Sequence, residues 1–102
     1  MAKPWVLADS AALELEQIQS YLDERTGGPS VFDDLADGID ETMEQVCAFP
    51  ELFDVSILPE LAALGYRAFT VGRYVVLYTI KPDCIFVAHV FHGSQDYAKL
   101  VL

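Results

Sequence analysis

Positive charge is what this sequence has least of: 6 lysines and arginines stand against 16 aspartates and glutamates in 102 residues, a formal net charge of −10. A chain this acidic repels a phosphate backbone, because nucleic-acid affinity comes from Lys and Arg displacing condensed counterions. The deficit is uneven. Residues 1–60 hold 14 acids against 2 bases, a balance of −12, and residues 61–102 hold 2 acids against 4 bases, a balance of +2. Any contact with nucleic acid would fall to the second part, and direct nucleic-acid binding is not expected. The acidic part is read most simply as keeping an apolar protein dissolved.

Cysteine is also scarce. Cys47 and Cys84 form no metal spacing and no short redox motif, so both are expected to be reduced, small, buried apolar groups. No apolar run approaches the roughly 20 residues that a membrane span requires. The opening Met1-Ala2-Lys3-Pro4-Trp5 carries one base and no signal-peptide core, so a cytoplasmic location with no membrane contact is expected. A glycine-rich phosphate loop, a zinc spacing and a nucleophile-with-base motif are all missing. No cofactor and no metal is therefore expected. The run Asp33-Asp34, Asp37, Asp40-Glu41 is read as a solvated helix face rather than a cation site.

What is present is apolar. Hydrophobic residues make up 53% of the chain, above the 45–50% or so of ordinary soluble domains. That suits one domain over residues 1–102 with apolar surface left for a partner. Trp5–Ala8 reads as a first strand, followed by Asp9-Ser10 as a helix cap. Ala11, Leu15, Ile18 and Leu22 then recur at helical spacing until Thr26-Gly27-Gly28-Pro29. A second helix runs from Ser30, whose spacing to Asp33 resembles a capping box, through Phe32, Leu35, Ile39, Met43 and Val46 to Phe49, where Pro50 ends it. The two make a helical hairpin. Glu51–Leu64 is expected to be an ordered loop.

Tyr66–Val71, Tyr74–Ile80 and Cys84–Phe91 are rich in β-branched and aromatic residues. Gly72-Arg73 suits a two-residue hairpin with glycine leading, and Lys81-Pro82-Asp83 a proline turn. The three strands predict an antiparallel meander, followed by a short segment, Asp96–Leu102, read as a helix or a fourth strand. The expected class is α+β, in the order β-α-α-β-β-β-α. His89 is predicted to share a face with Ile85, Val87 and Phe91 and to be packed and hydrogen-bonded. Trp5 is expected in the core or facing a partner.

Three stretches, Leu64-Gly65-Tyr66-Arg67, Val71-Gly72-Arg73-Tyr74-Val75-Val76-Leu77-Tyr78 and Val90-Phe91-His92-Gly93-Ser94-Gln95-Asp96-Tyr97, resemble the C-terminal signature of RelE/ParE toxins of type II toxin–antitoxin systems. The resemblance implies a small sheet holding a helical hairpin and a cognate antitoxin as partner. It also implies one of two targets: mRNA on the ribosome, or DNA gyrase. RNA cleavage needs proton acceptors, donors and phosphate-holding cations. Where the RNA-cleaving branch places arginines, this chain has Val75 and Ser94-Gln95, and the expected tail tyrosine falls near Val101 with Tyr97 close by. The ParE branch, which poisons gyrase by binding it, is therefore the nearer one. A ribosome-dependent nuclease, a non-toxic binding relative and a homodimer stay open. The residues expected to contact target or antitoxin are Arg67, Arg73, His92, Gln95, Asp96 and Tyr97. Arg67 and the stretch from His92 to Tyr97 are expected to lie together at the outer ends of the strands.

Overall fold

A computed structural model describes residues 3–26, 30–56 and 58–95. It contains β1 (Trp5–Leu7), α1 (Asp9–Thr26), α2 (Ser30–Ala48), α3 (Pro59–Ala63), β2 (Arg67–Val71), β3 (Tyr74–Ile80) and β4 (Ile85–His92). The strands form one sheet in the order β1-β4-β3-β2. β2, β3 and β4 are antiparallel neighbours, as the meander predicts. β1 pairs parallel to β4, with Trp5 opposite Ile85 and Leu7 opposite Val87. The segment Asp96–Leu102 lies outside the described residues. No described helix is long and apolar enough to cross a membrane.

Local chemistry explains most of these boundaries. Gly72 adopts φ 58 and no other residue of its hairpin has positive φ, which matches a turn with glycine first and twists the flanking strands correctly. The start of α1 departs from expectation. The Ala8 carbonyl already accepts the Ala12 N–H, so the helix begins before Asp9-Ser10 can cap it. Ser10 instead donates its hydroxyl to the Ala88 carbonyl at 2.7 Å, tying α1 to β4. The expected loop over Glu51–Leu64 contains the short α3, with Pro59 in its first turn and Leu61 fully buried. Proline at a helix start loses no bond the helix needs.

Both faces of the sheet are covered. On one, Phe69, Val76, Tyr78, Ile85, Val87 and Val90 meet Leu35, Ile39, Met43 and Val46 of α2 and Ala11 of α1. Trp5 packs on the margin of this core, and Cys47 is half-buried beside it. Each such side chain withdrawn from water contributes roughly 1.5–3 kcal/mol. On the other face Leu61 of α3 closes over Val75, Leu77 and Phe91. The two-sided burial explains why β3 reads as a continuous apolar run rather than an alternating one. The acidic face of α2 (Asp33, Asp34, Asp37, Asp40, Glu41, Glu44) is exposed throughout. Among the described residues no group of three His, Cys, Asp or Glu side chains is placed to hold a metal ion.

One irregularity matters for the site. The β3–β4 register shifts between Leu77 and Tyr78: Leu77 faces His89, but Tyr78 faces Val87, leaving Ala88 unpaired. This is a β-bulge, and an extra residue exchanges the faces of everything after it. His89 therefore does not share a face with Ile85 and Val87. It stacks at 5.2 Å on Phe91, a member of the cluster under Leu61. By the same exchange His92, paired with Tyr74, turns to the side where the helices lie.

Candidate functional site

The exchanged face opens into a groove of about 620 Å³ between α1 and the end of β3–β4. α1 contributes Glu14, Gln17, Ile18 and Tyr21, spaced so that all four fall on one side of the helix. The sheet and the turn beyond it contribute Tyr74, Val90, Phe91, His92, Ser94 and Gln95.

Its polar groups are oriented by short-range bonds. The Ser94 N–H donates to His92 Nδ1 at 3.1 Å, and the Ser94 hydroxyl lies 2.7 Å from the same nitrogen. With Nδ1 accepting, the neutral imidazole carries its proton on Nε2, which is left as a donor. The ring stands edge-on to Tyr74, with centroids 5.4 Å apart. Gln95 closes the free edge of β4: its Oε1 accepts the His92 N–H at 2.8 Å, and its own N–H donates to the His92 carbonyl at 3.0 Å. Burial pushes the Tyr74 hydroxyl above its ordinary pKa, and the neighbouring Tyr21 pushes it further. It stays a neutral hydrogen-bonding group. At the other end of the groove Glu14 accepts the Val90 N–H at 3.0 Å and holds His89 Nδ1 at 3.0 Å. His89 is thus packed and bonded, as its sequence context suggests.

The structure brings together only part of the expected constellation. Arg73, in the turn between β2 and β3, sits beside His92, because its carbonyl accepts the Gly93 N–H at 2.8 Å. Arg67 does not join them. It pairs with Tyr78 whereas His92 pairs with Tyr74, and four residues of strand separate those positions, about 13 Å. Its guanidinium instead donates to the Phe53 carbonyl at 2.6 Å, which fastens the loop before α3 to the sheet. The expected meeting of Arg67 with His92 is therefore overturned by strand register: β2 starts where β4 starts, and His92 is at the other end. Asp96 and Tyr97 lie outside the described residues. Glu14, Gln17, Tyr21, Tyr74 and Ser94 were not singled out from sequence. The signal for the α1 members was the helical spacing of Glu14, Gln17 and Tyr21 around the core position Ile18.

Two aromatic hydroxyls, an imidazole and amide groups line the open groove, groups whose chemistry is stacking and hydrogen bonding. Strand order, helical hairpin and solvent-facing groove define a small α+β protein with an open site rather than an enclosed one. The chain belongs to the family described as ParE toxin of type II toxin-antitoxin system, parDE, whose model matches residues 6–97. Among solved structures it is similar to a chain from "Chromosomal ParDE TA system from P. aeruginosa", with 17% identity, coverage of 89% of this chain and 96% of that one, and a TM-score of 0.69. At that identity the likeness is one of fold. No curated protein matches the chain.

Proposed function

We propose that this ParE-family toxin acts by binding and trapping a protein–DNA target of the gyrase kind, and that a cognate antitoxin neutralises it. The observation that carries this reading is the make-up of the groove. It gathers Tyr21, Tyr74, His92 and Gln95, and the described cations near it are two, Arg73 on the adjoining turn and Arg25 over the Tyr21 ring. Cutting RNA would require several cations to hold the scissile phosphate and stabilise its developing charge. Trapping a protein complex requires only an ordered, partly aromatic surface. The reading entails a cytoplasmic location, where such a target resides.

The test is purified protein added to gyrase and supercoiled plasmid. Inhibition with an accumulated cleavage complex is expected. Arg73→Ala and His92→Ala should each weaken it about tenfold, the equivalent of roughly 1.4 kcal/mol. Absence of any trapped complex would overturn the reading. Toeprinting on translating ribosomes that showed A-site cuts would assign the chain to the RNA-cleaving branch instead.

A further inference from the structure

Phe49 and Leu52 form the most exposed apolar pair near the end of α2, at 69% and 48% of their accessible surface. They are not on a frayed end. The Phe49 N–H donates to the Gln45 carbonyl and the Leu52 N–H to the Phe49 carbonyl, each at 2.9 Å, so the backbone that presents them is fixed. A shallow concavity lies on either side of the pair. One, of about 670 Å³, runs along α2 past Glu41, Glu44 and Ala48, and the other, of about 620 Å³, runs past Lys3, Glu51 and Ile80. The apolar centre is rimmed by three carboxylates and one cation. Glu41, Glu44 and Glu51 are exposed, and among the described residues none of them forms an ion pair. Lys3, the cation of the rim, directs its ammonium to the Lys81 carbonyl at 2.9 Å.

Charge decides what fits. A second copy would bring the same three carboxylates to the same rim, on a chain of net charge −10. Nucleic acid and anionic lipid are repelled likewise. Glu41 and Glu44 lie one turn apart on α2, and the concavity follows the helix, which suits another helix packed alongside. We propose that this surface docks a basic amphipathic helix of a partner protein, with an apolar side chain seated between Phe49 and Leu52 and Lys or Arg residues over Glu41, Glu44 and Glu51. For a toxin the natural bearer is its antitoxin, and that identification alone rests on the function proposed above. The surface lies apart from the groove, and its partner helix is cationic.

The experiment titrates the protein with a synthetic Leu/Lys amphipathic helix, and in parallel with its Leu/Glu counterpart, following amide chemical shifts and calorimetry. One-to-one binding of the Leu/Lys peptide is expected, with shifts centred on residues 41–52 and none for the Leu/Glu peptide. Phe49→Ser with Leu52→Ser should weaken binding at least about tenfold. Glu41→Gln, Glu44→Gln and Glu51→Gln together should weaken it several-fold and flatten its salt dependence. All five side chains are exposed, and the charge-neutral set provides an independent readout should the apolar pair disturb the fold. Equal binding of both peptides, binding that neither set of variants changes, or a dimer that Phe49→Ser dissolves would each overturn the proposal. Gyrase inhibition by the free protein does not enter this measurement, so either idea can fail while the other stands.

Discussion

Arg67 and Arg73 are six positions apart, of the same type, and in opposite situations. Arg67 is half-buried and bonds a carbonyl in the loop before α3. Arg73 is exposed in a turn. Arg67→Ala should therefore lower unfolding stability by about 1–2 kcal/mol in a denaturant titration, because a carbonyl loses a charged donor. Arg73→Ala should stay within about 0.5 kcal/mol of the parent, while weakening target binding as described. Glu14 makes a matching case. Glu14→Ala removes the acceptor of the Val90 N–H at the edge of β4, and a thermal melt should show a loss of about 1–2 kcal/mol. At this scale the sequence named Arg73, His92 and Gln95 as separate contact candidates, and that the β2–β3 turn lies beside the end of β4 emerges only from the strand pairing. It misplaced Arg67 because a residue's position along a strand does not state which end of the next strand it meets. Glu14 was passed over because a carboxylate on a helix is normally solvated, and its bond to a strand edge is purely tertiary.

At the scale of elements, Gly38 decides how closely α2 approaches β2. A Cβ built there would lie 2.5 Å from Cγ1 of Val71. On an exposed helix, replacing glycine by alanine is worth up to about 1 kcal/mol in propensity. Here the contact is with a β-branched side chain that has little rotamer freedom. Gly38→Ala should instead destabilise by about 1–3 kcal/mol, and Val71→Ala should recover part of that loss in the double variant, measured as a coupling energy. Most elements were legible from periodicity: both helices, the hairpin and the three meander strands begin and end within a residue or two of expectation. What escaped was whatever lacks a local signature. The parallel seat of β1 beside β4 depends on partners 80 positions away. The bulge at Ala88 has no marker residue, yet it determines that His92, and not His89, turns toward the groove. α3 is a single short turn whose only clue was Pro59.

For the molecule as a whole, three ionisable groups tie stability to alkaline pH: Cys47, Tyr78 and the Tyr74 of the groove. Burial, and then the nearby Glu44, raise the Cys47 thiol above 9.0. Burial raises the Tyr78 hydroxyl above 10.0, with Arg67 pulling partly the other way. All three are acids that ionise more readily in the unfolded chain, so the folded form holds the proton longer. Their contribution is complete below about pH 9 and is lost as pH climbs past 9 and then 10. Denaturation midpoints measured across that range should fall. Tyr78→Phe should remove part of the upper decline, Tyr74 accounting for the rest, while forgoing the bond to the Pro50 carbonyl. The net charge of −10 adds a second expectation: moderate salt should raise the midpoint at neutral pH by screening mutual repulsion on the helical half.

The parallel seat of Trp5–Leu7 against Ile85–Val87 also governs timing. At a translation speed of roughly 5–20 residues per second, the first strand waits several seconds for β4, its neighbour among the described strands, to be made. The groove depends on the same late strand, since His92 and Val90 belong to it. A ribosome-bound precursor therefore holds both helical segments before the groove can form. A partner that recognises the helical hairpin has that interval in which to reach it before the groove exists.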